Sequence, residues 1–182
     1  MKNKNAKGYT LLEVIGVTLI TTMIIGSLTG FLVTMIKSYN LTETHVDLQY
    51  QAQSVLNNIV EEIKYAKGIG RVYAKGSSSS VETSTQKQTI EVIELKTLEE
   101  KYIYFKVHGN KLYYVESEDM LEISNLWEEH QEDLLATGIK QIEVTPLKDS
   151  FAKTDSVQIV ITLERGDVNL AVSNQVTMRN KE

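Results

Sequence analysis

Hydrophobic and polar residues follow two different regimes along this chain. From Val14 to Ile36 there are 23 consecutive residues without a charge. At ~1.5 Å per residue they make a helix of ~34 Å, enough to cross a hydrocarbon core of about 30 Å. Beyond Lys37 the pattern becomes amphipathic. Leu41, Leu48, Val55, Leu56, Ile59, Ile63 and Ala66 recur at spacings dominated by three, four and seven, and Glu61, Glu62, Lys64 and Lys67 fall mainly away from them. Gly68 and Gly70 supply a stop. The expectation is one helix from about Tyr9 to Ala66, ~87 Å by its rise per residue. Its first half is uniformly apolar, and its second half needs a surface to pack on.

The period then changes. Residues 68–88 contain four serines in a row, Ser77 to Ser80, with nothing apolar except Val81 to anchor the middle, and read as a flexible connector. Thr89–Leu95 and Lys101–Val107 are rich in β-branched and aromatic residues, and Lys111–Glu116 follows the turn His108-Gly109-Asn110. Ile139–Thr145 reads as a strand ending at Pro146. Val157, Ile159, Ile161 and Leu163 alternate strictly. After the turn Arg165-Gly166-Asp167, Val168, Leu170 and Val172 alternate again in a strand reaching about Met178. Strands joined by hairpins make an antiparallel sheet, and a helix followed by strands gives an α+β order.

Composition narrows the chemistry. With no cysteine there is no disulfide, thiolate nucleophile or sulfur-ligated metal. The net charge is −5, and without Lys2, Lys4 and Lys7 the remainder is more acidic still. That balance argues against direct nucleic-acid binding, which depends on Lys and Arg neutralising phosphates. His45, His108 and His130 lack the spacing of a zinc helix. There is no G-x-S-x-G elbow, and no glycine loop precedes a helix to hold phosphate. No catalytic residue, enzyme activity or cofactor is expected. Acidic residues gather from Glu116 to Asp133, and Glu118, Asp119 and Glu122 are the candidate calcium ligands there. The stretch has neither EF-hand spacing nor a central glycine, so a solvated acidic face is the simpler reading. Trp127, amid these charges, suits either a subunit contact or packing on the sheet.

The most informative segment is Lys7-Gly8-Tyr9-Thr10-Leu11-Leu12-Glu13, which joins a lysine leader to the apolar run with one carboxylate just inside it. A cleaved signal peptide would have a shorter apolar core and a small-x-small site after it. A buried helix of a soluble protein would be neither so long nor so uniformly apolar. An ordinary signal anchor fits the length and flanks but leaves Glu13 unexplained, since a carboxylate in mid-span costs about 2.5–3.5 kcal/mol. The lysines place the N-terminus on the cytoplasmic side.

Gly8-Tyr9-Thr10-Leu11-Leu12-Glu13 resembles the class III leader junction of type IV prepilins and pseudopilins, written G-[FY]-T-L-[LIV]-E. The resemblance implies cleavage by prepilin peptidase between Gly8 and Tyr9, N-methylation of Tyr9, and pairing of Glu13 with the N-terminal ammonium of a neighbouring subunit. It implies the pilin fold: leader 1–8, membrane and assembly half of the helix 9–36, amphipathic stem 37–67, Ser-rich loop 68–88 and an antiparallel sheet domain 89–182. Its expected partners are prepilin peptidase, other pilin or pseudopilin subunits, an assembly-platform membrane protein and the cytoplasmic membrane. The sheet domain would lie outside and the protein would later enter an envelope or surface filament. Gly26 and Gly30 stand at G-x-x-x-G spacing, which permits close helix approach. The strand order after Gly138 and the Arg179-Asn180 ending are similar to J-type pseudopilins and PilW-like minor pilins. An unprocessed, signal-anchored extracellular binding protein is the rival reading of the same span.

Overall fold

The computed structural model describes residues 9–77, 79–122 and 133–179. Its elements are a helix α1 (Leu11–Tyr65) and eight strands: β1 (Gly68–Ala74), β2 (Gln88–Lys96), β3 (Tyr102–His108), β4 (Lys111–Ser117), β5 (Asp133–Thr137), β6 (Ile139–Pro146), β7 (Ser156–Arg165) and β8 (Val168–Thr177). The chain divides into two compact units at Glu43/Thr44. The first holds the apolar part of α1, whose side chains are exposed throughout. Its most apolar 18-residue window has a mean hydropathy of 2.0, long and apolar enough to cross a membrane.

In the second unit the amphipathic stretch meets its surface. Leu48, Ala52, Val55, Leu56, Ile59 and Ile63 are buried in one cluster with the inward side chains of the sheet, among them Ile93, Leu95, Phe105, Ile142, Ile159 and Ile161. Leu41, expected on the same stripe, lies in the first unit and is exposed. The helix ends at Tyr65, and the Arg179 N–H donates to the Lys64 carbonyl at 3.0 Å. That bond satisfies one of the acceptors a helix C-terminus leaves open.

All strand pairs are antiparallel, and the sheet runs β5-β4-β3-β2-β6-β7-β8 with β1 also on β2. β2 is the fork. Ile90 is paired with both Ala74 and Ile142, and Val92 with both Tyr73 and Lys106. β1 therefore holds one edge of β2, while β3 and β6 share the other, one after the other. The register slips at the junction, because Ile90 and Ile93 both join the core cluster, a spacing that a strand of period two allows only across a bulge. β6 slips likewise between Ile139 and Gln141. Between the diverging strands lies a cleft of about 110 Å³, lined by Lys75, Thr89, Ile90, Glu91, Val107, Gly109, Lys140 and Gln141.

The outer face of the sheet carries a smaller cluster, Tyr73, Val92, Tyr104 and Val115, with Leu121 packed on it. Beside it Glu94 is only 2% exposed. Its Oε2 accepts from Arg71 Nε at 2.8 Å and Nη2 at 2.6 Å, and Arg71 Nη2 also donates to the Leu121 carbonyl. Burial alone would lower the Arg71 pKa, but the hydrogen bond and charge of Glu94 outweigh it and hold the guanidinium firmly protonated. The Leu121 N–H donates to Tyr104 Oη at 2.9 Å. These bonds fasten the chain leaving β4 across the outer face.

Three sequence expectations change here. Gly68 and Gly70 lie in a strand rather than forming the helix stop, and Gly70 is needed because a Cβ there would collide with the Glu94 carboxylate. The stretch 68–88 is not a free connector. Its first seven residues are β1, the Val81 N–H donates to the Val72 carbonyl, and the Phe151 and Ala152 N–H groups donate to the Ser84 and Glu82 carbonyls. β5 begins at Asp133, where the acidic stretch ends, and was not expected as a strand. Trp127 and His130 lie outside the described residues.

Gly70→Ala should destabilise the chain by about 1–3 kcal/mol, the usual cost of overpacking. Gly68→Ala, with open space around it, should stay within about 0.5 kcal/mol of wild type. Urea unfolding of the full chain in detergent checks both. Glu62 offers a pH test. Burial first, then the charges of Glu61 and Glu116, raise its pKa above the ordinary 4.5. Its ionised form therefore opposes folding, so this contribution is favourable below the unfolded-state pKa and is lost as pH rises through the raised value. Glu62→Gln should stabilise the chain at neutral pH, with the advantage vanishing near pH 4.

Candidate functional site

The junction motif meets the structure at Tyr9, since Gly8 lies outside the described residues. Thr10 is the residue before the first helical turn, and Glu13 is the third residue within it. The Thr10 N–H donates to Glu13 Oε2 at 2.9 Å and the Thr10 hydroxyl to the same oxygen at 3.1 Å. The Glu13 N–H returns a bond to Thr10 Oγ1 at 3.3 Å. This is a reciprocal capping box, which satisfies donors that a helix start otherwise leaves unpaired. Tyr9 and Val14 stand at the positions that a hydrophobic staple joins. With Glu13, Val17 and Thr18 they line a groove of about 280 Å³. The cap turns the carboxylate back toward the Tyr9 end of the chain. Among the described residues no hydrogen bond reaches its other oxygen, Oε1.

The rest of the apolar stretch is polar only in its hydroxyls, and each of these bonds within the helix. Thr18, Thr21, Thr22, Ser27, Thr29 and Thr34 donate to the carbonyls of Val14, Val17, Thr18, Met23, Ile25 and Gly30 at 2.8–3.0 Å. Such back-bonding removes the cost of carrying a hydroxyl into an apolar medium. Glu13 is then the one ionisable side chain between Leu11 and Ile36. At Gly16, Gly26 and Gly30 nothing lies within 4 Å of where a side chain would project, so the helix surface is open to close approach there.

The other candidates do not converge. Glu118 and Asp119 border an open hollow with Lys96, Glu99, Glu100 and Lys101, so cations already stand beside them. Among the described residues no three His, Cys, Asp or Glu side chains come together as metal ligands. His45 is on α1 and His108 ends β3.

Reading the junction only as a processing motif missed the cap, although Thr10-x-x-Glu13 ahead of an apolar run is a capping-box signature in its own right. The hydroxyl ladder was equally available, as six Ser or Thr residues inside an apolar helix.

No family model, curated protein or solved structure matches the chain. What the structure establishes is one long apolar N-terminal helix whose second half packs on an antiparallel sheet, a pilin-like architecture compatible with a single-pass membrane anchor.

Thr10→Ala should cost the helix start about 1 kcal/mol. Amide exchange at Glu13 and Val14, whose N–H groups bond Thr10, should then quicken about fivefold in detergent, while Thr10→Ser stays near wild type. Equal exchange in all three proteins would show that the cap contributes nothing.

Proposed function

We propose that the chain is a type IV pilin-like subunit, a minor pilin or pseudopilin, that is trimmed after Gly8 and joins or primes a filament through its N-terminal helix. The supporting observation is the isolation of Glu13. In a stretch where every hydroxyl donates to its own helix, one carboxylate has an oxygen that no described residue bonds, and it is turned toward the end of the chain where trimming would create an amine. Carboxylate and ammonium are each costly in low dielectric and far cheaper together. Helices that associate through this stretch therefore favour the register that brings one subunit's amine to its neighbour's Glu13. The open surface at Gly26 and Gly30 suits the same close approach. The reading assigns no chemistry to the sheet domain, and the function is assembly rather than catalysis.

Mass spectrometry of the protein from its native membrane should find a mature N-terminus at methyl-Tyr9. A chain still beginning at Met1 would instead identify an unprocessed anchored protein. Gly8→Leu should block trimming. Two substitutions separate the roles of Glu13. Glu13→Gln keeps a side chain that a capping box accepts but removes the charge, whereas Glu13→Ala removes both. Both variants should be trimmed normally and both should fail to enter fibres. If the Gln variant assembles as well as wild type, pairing through charge is refuted.

A further inference from the structure

The geometry points to the free edge of β8 as a docking site for an extended, uncharged strand of a different polypeptide, which would add to the sheet as a ninth strand. Arg165 and Val168 close a two-residue hairpin over Gly166 and Asp167, with Gly166 at φ 59°. The closing pair of such a hairpin is hydrogen-bonded, and bonded and unbonded pairs alternate from it. Val168, Leu170, Val172, Asn174 and Val176 therefore bond β7. Asn169, Ala171, Ser173 and Gln175 turn their N–H and C=O groups outward. The Gln175 N–H is met by Asn174 Oδ1 at 2.8 Å, as an outward-facing donor would be. β8 ends the sheet among the described residues.

Edges of this kind are normally blunted by charge, proline, a bulge or a covering segment. The other edges here are: the Val81 N–H and a Tyr73–Ser80 bridge close on β1, and β5 is five residues long and begins with Asp133. Among the described residues nothing of the kind protects β8. Its ten pairs with β7 run without a register shift, and no residue between Asp167 and Arg179 is charged or proline.

The same features define the occupant. A charged strand would lose its hydration beside this edge, where Lys140 Nζ, the ammonium against Asn169, is already held by Glu164 and the strand itself carries no charge. Leu170 and Val172, half-buried at the rim of the core cluster, ask for apolar side chains at alternate positions on that side of the incoming strand. A second copy of β8 fits less well. Pairing the whole strand with itself sets Leu170 opposite Asn174 of the copy and brings together two chains of net charge −5. Strand addition of this kind draws affinity from main-chain bonds and selectivity from alternate side chains. It does not depend on how the N-terminal helix is processed.

The test uses the full chain in detergent and a fluorescein-labelled peptide of sequence Val157–Leu163, which already has the required alternation. Fluorescence anisotropy should report binding, and amide exchange at Asn169, Ala171 and Ser173 should slow about tenfold or more. Ser173→Pro and Ala171→Pro each remove an outward N–H that the β7 ladder does not use. Each should weaken binding about tenfold while exchange at Val172 and Asn174 stays slow. The proposal fails if the peptide does not bind, if both proline variants bind it as wild type does, or if binding leaves those three amides unprotected. It fails too if the amides become protected in the peptide-free chain as its concentration rises, because that would seat a second copy on the edge.

Discussion

A polar group taken out of water is costly unless something in its new surroundings bonds it, and both units of this chain are arranged around that requirement. In the apolar part of α1 the solution is local, with six hydroxyls folded back on carbonyls of the preceding turn. In the sheet unit it is tertiary. Glu94 is buried on the outer face and answered by Arg71 from the neighbouring strand, with Gly70 keeping the space clear. Removing one partner of such a pair typically costs about 3–5 kcal/mol, because the other charge is left buried and alone.

The fork at β2 shows how packing and backbone geometry determine each other. The sheet does not keep all its strands in a single row: β2 pairs first with β6 and then with β3 along one edge. The slip at Glu91 lets Ile90 and Ile93 both reach the core, and Val92 is left for the outer cluster. β2 is accordingly buried on both faces over much of its length. Its sequence, Thr89-Ile90-Glu91-Val92-Ile93-Glu94-Leu95, shows no clean alternation for that reason.

The helix and six of the eight strands were legible because their information is local: the apolar run, the three-and-four spacing, the strict alternation of β7, and the turns at Gly109 and Gly166. β1 and β5 were not. Gly68-Ile69-Gly70-Arg71 has poor intrinsic strand preference and becomes a strand because β2 offers it a partner and Glu94 a counter-charge. Asp133–Thr137 is short and follows a run of acids, and its strand character comes from β4. The Ser-rich stretch was misread for the same reason, as its anchors on β1 and on the loop carrying Phe151 are distant in sequence. At the junction the cap is as local as the turns, since Thr10-x-x-Glu13 directly precedes the apolar run.

The observed cap and the proposed pairing of Glu13 do not compete for the same oxygen. A carboxylate offers about four lone-pair sites. The cap uses one oxygen of Glu13, which accepts both the N–H and the hydroxyl of Thr10. Pairing with an amine would therefore add to the cap rather than replace it. The cap also fixes the side chain before any partner arrives, which removes part of the ordering cost that a long, free carboxylate would incur on pairing. A side chain anchored through one oxygen presents the other in a defined direction. The same cap that begins the helix would therefore leave Glu13 already oriented for the ion pair proposed above.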